Sequence, residues 1–169
     1  GTIATFGGKP GLKVVETGAG NFAILWVEAT GVGAYQLRGV YFALPPDTGP
    51  AAAVVLPGGD GWTPIAINPI ALNAGFTGEF NLAGMGEDNQ DIVLTYTATD
   101  GNGTGVYAQH ISGDIVLNGA AVVPITVSAA AIRVNDGQTG NQSGGSVAGM
   151  VSDRAIIAYT DADGTVLTR

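Results

Sequence analysis

Asp100, Asn102 and Thr104 put side-chain oxygens on alternate residues of the stretch Asp100-Gly101-Asn102-Gly103-Thr104-Gly105. Asp161 and Asp163, followed by Gly164 and Thr165, offer the same spacing near the end of the chain. A hard cation wants several such oxygens gathered by a flexible backbone, so Asp100, Asn102, Thr104, Asp161 and Asp163 are candidate calcium ligands. Neither stretch has the acidic twelfth position of an EF-hand loop. Asp, Asn and Gly are also the ordinary residues of tight turns, so a plain turn is the competing reading at both places. The acidic run Glu87-Asp88-Asn89 with Asp91 has the same two readings, a cation site or a solvated turn.

His110 is the only histidine, and no second imidazole exists to share a metal with it. It stands among Tyr107 and Gln109 on an alternating run, which reads as a half-exposed strand residue rather than a catalytic base. The 14 Asp and Glu residues fall in turns, with no spacing that singles out a catalytic pair. Gly58-Gly59-Asp60-Gly61-Trp62 has the glycines of a phosphate loop but not the Gly-Lys-Ser/Thr ending. These residues give no enzymatic reading. Trp62, in a Gly- and Pro-rich insertion, and Tyr107 are the candidate contacts for a sugar ring or a partner's pocket, because aromatic faces stack on both. The competing reading for Trp62 is a cap on the edge of its own core.

The elements that must hold these side chains are strands. Asp91 to Ile111 reads as two apolar-alternating runs hinged on the glycine turn, a β-hairpin. Phe22-Ala-Ile-Leu-Trp-Val-Glu-Ala-Thr-Gly31 parallels Ile92-Val-Leu-Thr-Tyr-Thr-Ala-Thr-Asp-Gly101, aligning Trp26 with Tyr96 and Gly31 with Gly101. Ala155-Ile-Ile-Ala-Tyr-Thr-Asp-Ala-Asp-Gly164 is a third version. An identical Ala-Gly-Met precedes two of them, at 83–85 and 148–150. Strands are expected at Leu12 to Glu16, Leu82 to Met85, Asp91 to Thr97, Gly105 to Ser112 and Ala121 to Val134, with Trp26 in the core. The expected organisation is a first unit over 1–80, a second and fullest over 81–135, and an incomplete third over 136–169. Four short strands per unit predict an all-β chain of blade-like antiparallel units, a partial β-propeller, with a β-sandwich as the alternative. Pro45, Pro46, Pro50, Pro57, Pro64 and Pro69 predict a long loop rather than a central strand between the first two hairpins, and that loop is the first place to look for a docking partner.

Composition narrows the partners. Of 169 residues, 12% are charged and 28 are glycine, a balance that suits short strands and tight turns. A net charge of -8 with only six Lys and Arg leaves nothing from which to build a phosphate-binding groove, so no nucleic-acid partner is expected. Without cysteine there is no disulfide, thiolate nucleophile or zinc-thiolate site. No apolar run reaches the length of a spanning helix, since Ala120 to Ile132 is interrupted by Pro124, Thr126 and Ser128. The first residues carry neither a basic region nor an initiator Met, as expected of a mature product or a fragment. Thr165 to Arg169 stops where the return strand of the third hairpin is expected to begin, so its pairing is expected from further chain, from closure of the two ends, or from another subunit.

Ile132-Arg-Val-Asn135, Thr139-Gly-Asn-Gln142, Ser146-Val-Ala-Gly-Met150, Ala155-Ile-Ile-Ala-Tyr-Thr160 and Asp163-Gly-Thr165 follow one another in an order that resembles a bacterial secreted repeat. That repeat belongs to large calcium-associated, RTX-type surface and exported proteins, and its return strand typically reads Gly-Val-Tyr-Ala-Gln-Arg-Phe. The present chain has Gly105-Val-Tyr-Ala-Gln-His-Ile111, departing at the last two positions. The resemblance spans Leu82 to Thr165. It implies tandem blade-like units, an extracellular or cell-surface setting and calcium, but no active site. Three functions follow as expectations. The first is a non-catalytic structural or interaction module that packs on other repeats or subunits; the others are a carbohydrate-binding module and the non-catalytic part of a larger secreted enzyme such as a peroxidase.

Overall fold

A computed structural model describes residues 5–6, 9–18, 21–43, 63–85, 91–112, 127, 130–136, 139–150 and 154–169. Every regular element among them is a β-strand. In chain order these are β1 (Thr5–Phe6), β2 (Lys9–Pro10), β3 (Leu12–Gly18), β4 (Asn21–Gly31), β5 (Ala34–Ala43), β6 (Thr63–Ala71) and β7 (Phe80–Met85). They continue as β8 (Asp91–Thr99), β9 (Gly103–Ile111), β10 (Ile132–Arg133), β11 (Gly140–Asn141), β12 (Ser143–Met150), β13 (Arg154–Thr160) and β14 (Val166–Thr168). Among the described residues β1 and β2 pair only with each other. The rest form three sheets in the orders β3-β4-β5-β6, β7-β8-β9-β10 and β12-β13-β14, antiparallel throughout except for β11, which adds to β9 in parallel. The protein is therefore an all-β chain of stacked antiparallel sheets.

Alternation in the strands decides how the sheets stack. In β4, Ala23, Leu25 and Val27 are buried while Phe22, Ile24 and Trp26 on the opposite face are half-buried. The buried set meets Phe80, Ile92, Leu94, Tyr96 and Ala98 of the second sheet, with Leu37, Tyr41, Ile65 and Ile67 completing this core. β8 is apolar or threonine at every position from Ile92 to Ala98, and all seven are buried. Such a run fits a strand covered on both faces rather than one. The second face of this sheet, with Val106, Ala108 and Val134, packs on Ile157, Tyr159 and Val147 of the third. The middle sheet is thus enclosed between the other two.

Two glycines set the distance between sheets. A Cβ on Gly84 would lie 2.5 Å from the Glu16 carbonyl of β3, and a Cβ on Gly149 would collide with the Gly84 carbonyl. The first strands of the three sheets therefore touch backbone to backbone. Asn81 Nδ2 adds a hydrogen bond of 3.3 Å to the Gly145 carbonyl, which the buried Thr95 hydroxyl also donates to.

Several expectations need adjustment. Trp26 sits on the face turned away from the middle sheet, half-buried, with Nε1 donating to Glu28 Oε1 at 3.1 Å. It is not a core residue, because the parity that buries Leu25 and Val27 points Trp26 the other way. Pro64 and Pro69 lie in a strand, β6, rather than in a loop. β6 is the sheet's outer strand, and Pro69 falls at an irregularity in the pairing between Leu37 and Gly39, the two settings in which a ladder tolerates proline. Val166 to Thr168 pairs with β13 as β14, so the return strand of the third hairpin has begun. Of the strand expected over Ala121 to Val134, β10 and a single bridge from Val127 to Ile111 are described; the remainder, like Pro45 to Trp62, lies outside the described residues.

Candidate functional site

The turn Asp100 to Gly103 closes β8 onto β9, and its glycines take positive φ, 91° at Gly101 and 142° at Gly103. Asp100 Oδ1 accepts the Asn102 N–H at 3.0 Å, the usual way an aspartate fixes its own turn. The other oxygen, Oδ2, is ion-paired with Arg133 of β10, and the Asp100 side chain is only 2% exposed. Gly105 makes this approach possible, since a Cβ there would stand 3.0 Å from Asp100 Oδ2 and 3.2 Å from both Arg133 Nε and Asn135 Oδ1. β10 can bring its arginine to the carboxylate only because β9 has no side chain at that point.

From Arg133 the polar chain runs into the third sheet. Asn135 Oδ1 accepts the Val106 N–H at 2.9 Å, and Asn135 Nδ2 donates to Gln142 Oε1 at 3.0 Å. Gln142 Nε2 in turn donates to the Thr139 carbonyl and to Asp161 Oδ1, both at 3.0 Å. Asn135 and Gln142 are buried, Gln142 completely. A buried amide with all its groups engaged is worth far more to the fold than a half-satisfied one. The Thr104 hydroxyl donates to the Gln142 carbonyl at 2.8 Å, which ties β9 to the same segment. At the third turn Asp163 Oδ1 accepts the Thr165 N–H at 2.8 Å, and that bond holds the exposed Asp163 carboxyl below the usual carboxylate range.

The five candidate calcium ligands are therefore placed at one end of two adjacent sheets, but four of them have internal work. Asp100 holds Arg133, Asp161 holds Gln142, Asp163 caps its own turn and Thr104 donates its hydroxyl to a carbonyl. The fifth, Asn102, is exposed in the turn that Asp100 fixes. Among the described residues no three acidic or imidazole groups gather as a metal-binding cluster. A cation at the first turn would compete with the Arg133 guanidinium for Asp100 Oδ2, and one at the third would share Asp161 with the Gln142 amide on Oδ1.

Tyr107 is half-buried and stacks on its cross-strand partner Tyr96 at 5.6 Å between centroids, with 19° between ring planes. Tyr96 in turn meets Phe76 edge-on at 6.2 Å, and Phe76 meets Tyr35 at 5.6 Å. One Tyr107 face is thereby committed to the aromatic core. Burial pushes the Tyr96 phenol up to about 12. Trp62 and the run Glu87 to Asn89 lie outside the described residues.

Sequence reasoning missed the partner of His110. Its Nε2 lies 2.8 Å from Asp91 Oδ2, across β8 and β9. The register explains the contact: Val93 stands opposite His110, so Asp91 is the diagonal neighbour on the same face. The spacing of the two runs about their turn carried that signal. Beside the pair is a cleft of about 260 Å³ between the second and third sheets, lined by Val93, Ala108, His110, Ile132, Ala155 and Ile157. The pair orients an imidazole at the rim of a largely apolar cleft.

No known protein family, curated protein or solved structure matches this chain.

Proposed function

We propose that the chain is a structural and interaction module without catalysis of its own, whose three sheets are successive blades of a larger β array. The observation that carries this reading is the middle sheet, enclosed on both faces and touching each neighbour through a glycine, Gly84 on one side and Gly149 on the other. A β-sandwich has two sheets and two inner faces; stacking three sheets first strand to first strand favours blades of a partial propeller. The residues with chemistry to offer support it too. Asp100 and Arg133 spend their charges on closing the second sheet, and Asn135, Gln142 and Asp161 spend their hydrogen bonds on joining it to the third.

The resemblance of Leu82 to Thr165 to secreted repeats supports an exported or cell-surface setting in a bacterium, with the module packed on other repeats or subunits. Fractionation of the source cells with an antibody against this chain tests the setting; signal confined to the cytosol would remove it. Native-state hydrogen exchange tests the architecture. Amides of Ile92 to Ala98 should be the slowest in the molecule, and exchange faster than that of Ala23 to Val27 would overturn the enclosed middle blade. Scanning calorimetry with calcium and with chelator tests the implied cation. Calcium held at these turns should raise the melting temperature above that measured with chelator, and equal temperatures would remove it.

A further inference from the structure

The space between the second and third sheets is filled unevenly along β13. Its inward residues shrink from Tyr159 through Ile157 to Ala155, while β9 turns Val106, Ala108 and His110 towards them. At the Tyr159 end the gap is full, with Tyr159, Val106 and Val134 packed together and all buried. At the other end Ala108, Ala130 and Ala155 bring only methyl groups, and the volume they leave is the cleft of about 260 Å³. Stacked sheets ordinarily fill the roughly 10 Å between them with side chains at the density of an organic crystal.

Backbone shuts one side of this space. Gly149, the cross-strand partner of Ala155, touches Gly84 of the second sheet, whereas one strand further on side chains stand between the sheets. The cleft is therefore a slot that begins beside the two glycines and opens towards β10. At the open side stands Ile132, which belongs to the lining and yet is 66% exposed. Packing one sheet on the next would be served better by a larger residue at 155; the alanine leaves a space instead.

The walls select what can occupy it. Apart from Gln109 and His110 the lining is aliphatic, and aliphatic walls offer nothing to replace the water around a charge. His110 is the one titratable side chain among the described lining residues, and its Nε2 lies 2.8 Å from Asp91 Oδ2. The carboxylate answers the imidazole when it is protonated, so the pair presents no net positive charge to an anion. An apolar cavity of about 150 Å³ already accommodates benzene, which gives this slot room for a second ring. We propose that the cleft is a binding site for an uncharged, compact apolar molecule with the bulk of one or two fused rings, held between Ala155 and Ala108 and covering Ile132.

Fluorine NMR on the whole chain with 5-fluoroindole as the probe tests it. The probe signal should shift saturably with the wild type, and 5-fluoroindole-2-carboxylate, the same ring carrying an anion, should bind roughly tenfold more weakly or worse. Ala155→Leu extends an isobutyl group into the slot; it should weaken the probe by roughly tenfold or more and raise the melting temperature as the space fills. Ile132→Asp, at an exposed position where folding tolerates a charge, should weaken it as well. Ile156→Ala, on the opposite face of the same strand as Ala155, should leave affinity within about twofold. No saturable shift with the wild type, an anion bound as tightly as the neutral ring, or wild-type affinity in Ile132→Asp or Ala155→Leu would each overturn the site. So would loss of binding in Ile156→Ala, because the probe would then sit on the outer face. None of these outcomes depends on the exchange rates of Ile92 to Ala98, so the slot and the enclosed middle blade fail separately.

Discussion

Asp100 is the residue on which the turn end of the molecule depends. Its carboxylate is enclosed, paired with Arg133 and bonded to its own turn, so truncation strands a guanidinium that is itself only 22% exposed. Asp100→Ala should cost about 3 to 5 kcal/mol in urea unfolding, the range for removing one partner of a buried ion pair. A loss below about 1 kcal/mol would show the pair to be a surface contact. Tyr96 gives the alkaline signature. Burial raises its folded pKa to about 12 above an ordinary value of 10.0, so its contribution is complete below pH 10 and is lost as pH rises towards 12. A gap of that size corresponds to roughly 2 to 3 kcal/mol, and Tyr96→Phe should flatten the alkaline fall in unfolding free energy. Glu28 works in the opposite sense. The Trp26 indole N–H is the chief cause holding its carboxyl below the usual value, ahead of the opposing effect of burial and the further help of Gln36 and Arg38. That stability is present above the ordinary carboxylate pKa and is lost as pH falls through the lowered one; Trp26→Phe should shrink this acid loss in urea midpoints taken between neutral pH and pH 3.

At the scale of the element, glycine positions decide whether sheets can stack. Gly149 and Gly31 are both strand glycines without positive φ, yet a Cβ on Gly149 meets backbone of the next sheet, whereas on Gly31 its nearest atom is Ala34 Cβ at 3.9 Å. Gly149→Ala should destabilise by about 3 kcal/mol or more, because backbone cannot move aside as a side chain does, while Gly31→Ala should stay within about 0.5 kcal/mol. Equal melting temperatures for the two variants would refute the close approach of β7 and β12. The connection from β10 to β12 makes the parallel case for polar groups. Asn135→Ala and Gln142→Ala, combined in a double-mutant cycle, should show a coupling of about 1 kcal/mol or more, as expected for two buried amides bonded to each other.

For the whole molecule, alternation of apolar residues was enough to establish strands, hairpins and an all-β class, because side chains on a strand change face at every residue whatever surrounds it. Ile92 to Ala98 went further, its apolar and threonine residues on both parities already marking a strand covered twice. Local pattern could not say what each face would meet. Trp26 and Tyr96 align in sequence and point the same way, but Tyr96 is covered by the first sheet and Trp26 is not, a difference made by neighbours distant in the chain. The turn aspartates show the same limit. Their spacing identified oxygens at two glycine turns, and only the pairing of β10 and β11 beside β9 brought Arg133 to Asp100 and held Gln142 where its amide reaches Asp161. His110 had a carboxylate within reach only after the register of β8 on β9 was set. Residue order thus determined the elements, since a strand's periodicity is local. Tertiary structure alone decided which charges are satisfied, because a buried carboxylate takes its partner from whichever strand packs against it.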